Sequence, residues 1–240
     1  MPPGVRAVRP DPRDAALQAT CPCVPVPRFG RQPPGGQGQR VLVARNGVFM
    51  EVTRPWLHCV LKLAELPQAP PLPYGDMREG IEFSFGVIPI AMLDEFVAHG
   101  RANLPNEVAG ALIFSSVSNT LRLQMHEAID SGPAGVRYRM PELAADESLA
   151  IDLHTHGRLP AFWSSTDDAD DQGVKVCGVF GSLHLRRPTA AFRLAANGCF
   201  RPLAHPWQVE ASEHEALDLE GRCPTLASMG FEEIDSRWNT

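Results

Sequence analysis

The amino-acid sequence predicts an α+β fold, a mixed and mostly antiparallel sheet flanked by helices in an α/β/α arrangement, with an N-terminal β-hairpin extension. Three observations carry that expectation. One stretch, "IPIAMLDEFVAHG" (88–100), spaces its apolar residues at the helical period. It is followed by short runs rich in β-branched and aromatic residues with polar turns between them, leaving room for only one further short helix. Two Asn-Gly pairs, Asn46-Gly47 and Asn197-Gly198, supply the residues that two-residue hairpin turns prefer.

Taken in order, residues 1–40 hold "PPG", "RPDPR", "CPCVPVPRFG" and "RQPPGGQGQ", a density of Pro and Gly that predicts a flexible leader without regular structure. Residues 41–76 comprise the hairpin "VLVARNGVFMEV" and the Pro-rich connector "LPQAPPLPYGD", whose prolines rule out a central strand or a helix interior. The main domain is expected over 77–209. Its helix places Pro89 at the first helical position, lines up Ile90, Leu93, Phe96 and Val97 on one face, and ends at Gly100 as cap. Strands are expected at 108–115, 120–129, 136–140 and 148–156, then a short helix after the His strand and, beyond the polar "SSTDDADDQG", a strand at 174–183 and a hairpin turning at Asn197-Gly198. The acidic stretch 210–240 reads as a tail.

Composition removes several function classes. A 240-residue chain with 44% hydrophobic residues can bury one sizeable core. A net charge of −6 and a pI near 5.7 argue against a nucleic-acid binder, whose affinity rests on clustered Lys and Arg. No apolar run approaches the roughly 18 residues that span a bilayer, and "MPPGVRAVRPDPRDAAL" lacks a signal-peptide core, so a cytoplasmic protein is expected. Cys21, Cys23, Cys59, Cys177, Cys199 and Cys223 accordingly read as reduced thiols.

The chemistry concentrates in "HTHGRLPAFWSSTDDADD" (154–171). Residues two apart on a strand share a face, so His154 and His156 project together and can grip one ion. Eight residues on, Ser164 can cap a helix and Asp167 would sit in its first turn, pointing back at the strand end. Two imidazoles and one carboxylate with a fourth position open are the donor set of a catalytic zinc. Such an ion needs a base to take a proton from its water. Glu107 in "LPNEVAGALIF" is a charged residue at the start of an apolar strand that could lie beside the His strand.

The spacing E…H-x-H-x7-S-x2-D, formed by Glu107, His154, His156, Ser164 and Asp167, resembles the JAMM (MPN+/JAB) metalloprotease motif at every position, and the order of elements over roughly 80–205 resembles a JAB/MPN-like fold. The resemblance implies zinc held by His154, His156 and Asp167, Glu107 as general base, and Ser164 as hydrogen-bond donor to the oxyanion. It also implies hydrolysis of a peptide or isopeptide bond, often at the C-terminus of ubiquitin or a ubiquitin-like protein. Gly157 departs from the proline, and Thr155 from the serine, that many members carry there. A closer resemblance, carried by "VPRFG", "VLVARNGVFMEVTRPWLH" and "LPYG" beside the site segment, is to the JAMM-bearing family of the bacterial PRTRC plasmid cassette. Its ThiF-like (E1-like) neighbour implies a ubiquitin-like substrate or conjugate.

Two rivals come from the same residues. H-x-H also opens the barrel of PHP phosphoesterases, but residues 157–240 leave no room for a barrel of about 250 residues. A non-catalytic interaction module on the same fold is the other. A thermolysin-type zinc helix is excluded, because His126-Glu127 and His214-Glu215 each meet Asp where the second His should stand; both pairs are expected at the surface or an edge.

Overall fold

The structure, a computed structural model, describes residues 11–65, 72–133, 135–204 and 207–208. The chain divides into two compact units, Met1–Ser84 and Phe85–Thr240. The acidic stretch 210–240, with His214-Glu215 and Cys223, lies outside the described residues, and no helix among those described is long and apolar enough to cross a membrane.

The first unit opens with α1 (Pro12–Thr20), inside the stretch expected to lack regular structure. Pro12 stands in the first turn, where its missing N–H costs nothing, and the Asp11 carboxylate caps the helix by accepting from the Arg13 N–H at 2.8 Å. Strands β1 (Cys23–Pro25), β2 (Gly38–Ala44), β3 (Gly47–Arg54), β4 (Leu57–Glu65) and β5 (Gly80–Phe83) form one sheet in that order, antiparallel except for β1 on β2. The β2–β3 hairpin turns at Arg45-Asn46, one residue before the expected pair, and the Asn46 amide is engaged by the Met77 backbone N–H and C=O at 3.0 and 2.9 Å. Leu42, Phe49, Val52, Leu57 and Leu61 are fully buried. Among them lies one carboxylate, Glu51, which takes hydrogen bonds from Arg40 and, at 3.0 Å, from His58.

The second unit begins with β6 (Ile88–Pro89) and α2 (Ile90–Ala102), whose inner face buries Leu93, Phe96 and Val97. The helix runs two residues past Gly100. A Cβ at Gly100 would stand 2.8 Å from Leu183 Cδ1 and 3.1 Å from Thr155 Cγ2, so this glycine admits the sheet to the helix instead of ending it. There follow β7 (Ala109–Ser115), β8 (Thr120–Met125), β9 (Ala128–Gly132), β10 (Gly135–Tyr138), β11 (Glu147–Thr155), α3 (Ser165–Asp170), β12 (Val174–Gly181), β13 (Thr189–Ala196), β14 (Cys199–Leu203) and β15 (Trp207–Gln208). The main sheet has the order β14-β13-β12-β11-β7-β8. Only β11 and β12 run parallel, with α3 in the crossover between them, and the mixed, mostly antiparallel α+β fold is as expected.

The expected strand 120–129 is two strands. Met125 pairs with Gly110 and the His126 N–H donates to Ala109 O at 3.0 Å, which uses up the start of β7; the chain then leaves the main sheet, and β9 pairs with β10 in a separate two-stranded sheet. The turn at Asn197-Gly198, with φ of 51° and 85°, is the expected tight hairpin. The five described cysteines are free thiols.

Candidate metal centre

The antiparallel register of β7 on β11 sets His154 opposite Ala109. The Thr155 N–H donates to Val108 O, and the Thr155 hydroxyl accepts from the Val108 N–H, both at 3.0 Å. Thr155 thus closes the end of the ladder from the face opposite the histidines, and the next residue back, Glu107, is brought to the His-bearing end of β11. Glu107 is held there by its own backbone, its N–H on Gly132 O at 3.0 Å and its carbonyl under the Ser131 hydroxyl at 2.8 Å. On the other side the His156 N–H donates to Phe180 O of β12 at 2.8 Å. Gly157 then turns at φ +53°, a conformation closed to proline, whose ring fixes φ near −65°. The departure from the common motif therefore follows from the local backbone.

The imidazoles converge. His154 Nε2 lies 3.2 Å from His156 Nε2 and 3.2 Å from Asp167 Oδ1, and His156 Nε2 lies 3.8 Å from Asp167 Oδ2. Among the described residues these three form the one group of donors close enough to share an ion. Nitrogen ligands of a tetrahedral ion with bonds of about 2.0–2.1 Å sit roughly 3.3 Å apart, so the His–His separation already suits a common metal.

Helix α3 sets the third donor. Ser164 is its N-cap: the Ser164 hydroxyl accepts from the Asp167 N–H at 3.2 Å, while the Asp167 carboxylate accepts from the Ser164 N–H at 2.6 Å. This reciprocal capping box orients the Asp167 carboxylate toward the histidines. The residues expected to act together, Glu107, His154, His156, Ser164 and Asp167, all line one cleft of about 960 Å³.

The electrostatics separate their roles. Burial pushes the Glu107 carboxyl up to about 7; the His154 charge opposes this and Asp167 adds to it. Burial and the neighbouring His154 hold His156 below its ordinary value, which favours the neutral, metal-binding imidazole. Burial would raise Asp167, but hydrogen bonds from His154 and Ser164 together with the His154 charge hold its carboxyl far below the usual range.

Other residues around this centre were not foreseen. Asp152, two residues before His154 on the same face of β11, binds Lys175 at 2.6 Å and Tyr138 at 3.4 Å. Strand alternation could have found it. Asp168 and Asp171 both pair with Arg193, and Asp171 is buried. His126, expected at the surface, stacks on Tyr138 with ring centroids 4.3 Å apart and its ring nitrogens buried. Phe162 is 44% exposed against His156 and walls the cleft, whereas Trp163 packs between His154 and Arg193.

Sheet, crossover helix and convergent donors together define a domain built around a His₂-Asp site at the end of a sheet. Residues 89–195 match the family described as prokaryotic homologs of the JAB domain. Residues 11–84 match a domain of unknown function, DUF2016. No curated protein matches the chain. Among solved structures, the solution structure of protein DSY2949 from Desulfitobacterium hafniense is similar at 16% identity and a TM-score of 0.40, covering 53% of this chain and 95% of that one.

Proposed function

We propose that the protein is a zinc-dependent peptidase or isopeptidase of JAMM type. The observation that carries this is the meeting, in one cleft, of three potential metal donors with a buried glutamate. His154, His156 and Asp167 would hold the ion. Zinc bound there supplies Lewis acidity, which brings the pKa of water down to about 7.

The chain's own groups do the rest. Glu107, raised to about 7, is matched to taking a proton from water on a carboxylate oxygen and passing it to the leaving amine. The Ser164 hydroxyl, which lines the same cleft, would donate its proton to the oxygen that gains charge on the attacked carbonyl. The capping box keeps Asp167 ionised and aimed. Lys175, Asp152 and Tyr138 line the cleft beyond the donors, and Phe162 gives it an apolar wall for a peptide substrate.

The substrate we favour is the C-terminal tail of a ubiquitin-like protein or its conjugate. This follows from the resemblance to protein A of the PRTRC cassette, which would make a ThiF-like activating enzyme a functional neighbour.

The deciding experiment is metal analysis of the native protein by mass spectrometry beside an Asp167→Asn variant, with hydrolysis of ubiquitin-like conjugates assayed on the same samples. About one zinc per chain, lost in the variant together with activity, is expected. Metal-free protein that stays metal-free when zinc is offered would return the domain to a binding or scaffolding role.

A further inference from the structure

Arg193 is an anomaly in β13. It is a charged residue in the apolar run "AAFRLAA", and only 4% of it is exposed. Its guanidinium lies between two rings, 3.9 Å from the Trp163 centroid and 4.0 Å from that of Phe200. Around its edge, Nε and Nη2 donate to Asp171 Oδ2 at 3.1 and 2.6 Å, and Nη1 donates to Asp168 Oδ1 at 2.6 Å. The group uses both its faces and its fork, which only arginine can do.

Three of these contacts, with Asp168, Asp171 and Trp163, lead to a metal donor. Asp168 lies in α3 directly after Asp167, and Asp171 closes the helix, its N–H donating to Asp167 O at 2.8 Å. Six residues are too few to hold a helix unaided, so the direction of the Asp167 carboxylate depends on what fastens this one. Trp163, covering one face of the guanidinium, meets the His154 ring edge-on at 6.3 Å between centroids and immediately precedes Ser164. On the far side, Lys175 joins Asp171 at 3.1 Å to Asp152 at 2.6 Å, which anchors the cluster on β11 itself.

We propose that Arg193 is a positioning residue of the metal centre, fixing α3 through Asp168 and Asp171 and backing the His154 ring through Trp163, so that one planar cation sets the spacing of two donors. This rests on the reading of His154, His156 and Asp167 as metal ligands. Outer partners that orient ligands in this way are typically worth about 10- to 100-fold in metal affinity. An arginine that only stabilised the core would leave the metal's surroundings unchanged.

The test titrates the full-length chain, cleared of metal, with cobalt(II) and with zinc in competition with a chelator. Wild type is compared with Arg193→Lys, which keeps the charge but loses the fork and the stacked plane, and with Asp168→Asn. The Asp168 side chain is 51% exposed, so this second variant keeps the test alive if the first does not fold. Zinc affinity should fall roughly 30-fold in Arg193→Lys and about threefold in Asp168→Asn, with a change in the position and intensity of the cobalt visible bands. Equal affinities and superimposable cobalt spectra in folded variants, whatever happens to their melting temperatures, would overturn the role of Arg193 while leaving the ligand set intact. A wild-type chain that takes up neither metal would overturn the ligand set and this role with it.

Discussion

Glu51 in the first unit and Glu107 in the second are both nearly sealed from solvent, at 5% and 7% exposure, yet their carboxyls are displaced in opposite directions. Burial would raise Glu51, but hydrogen bonds and charge from Arg40 and His58 outweigh it and hold the group below its ordinary value. Glu107 faces no Arg or Lys ion pair among the described residues, and burial lifts it to about 7. The contrast shows that burial alone does not define a carboxylate's task. A buried glutamate surrounded by cations is a structural joint, whereas one left facing a metal-donor cluster can carry a proton.

Replacing each acid should separate the two cases. The largest effect expected is on catalysis: Glu107→Gln should lower hydrolysis at least ~10³-fold while retaining zinc and leaving the unfolding midpoint unchanged or higher. Activity within tenfold of wild type would remove Glu107 as the base. The counterpart, Glu51→Ala, strands the largely buried Arg40 and should cost about 3 kcal/mol of stability in denaturant titration. Its rate per folded molecule should stay the same, and a loss near zero would mean that water already compensates Arg40.

Next comes Ser164→Ala. We expect about 1 kcal/mol of stability lost with the helix cap, and a rate some 10²-fold lower from the missing hydroxyl proton. If stability falls and the rate does not, Ser164 is a cap only.

The smallest effect is on acid stability. A carboxyl whose folded pKa is depressed contributes stability above its unfolded pKa, near 4.5 for glutamate, and that contribution disappears as pH falls through the folded value. Glu51 and the Arg122-bound Glu147, the latter held at about 2, should therefore steepen unfolding below pH 4.5. Glu51→Gln should flatten that slope in an acid titration followed by circular dichroism.

The site proved more legible in the sequence than its supports. His154 and His156 share a face because strands alternate, and Ser164 and Asp167 cap a helix because of their spacing; both relations are local, and both appear in the structure. Arg193 meets Asp168 and Asp171 across 25 and 22 residues through the pairing of β12 and β13, a long-range relation that no local pattern encodes. The helix over Pro12–Thr20 was obscured for another reason. Proline in a first turn and proline in a loop look alike until the capping Asp11 is taken into account. Gly100 was misread because a glycine near a helix end serves as a cap far more visibly than as the point where a sheet approaches.

The capping box at Ser164 and Asp167 bears on how such a domain ages over generations. Both residues serve twice, once by closing α3 and once by lining the cleft, so on the proposed function a lineage that abandoned hydrolysis would still lose stability by mutating either of them. Glu107 has no such second duty, and a buried acid near neutrality is a burden that drift can relieve with a neutral side chain. In descendants that no longer cut, the glutamate should be the first of the five to go, while the serine and aspartate persist. An intact S-x-x-D in a related chain is therefore weak evidence of activity, and the glutamate is the residue to inspect.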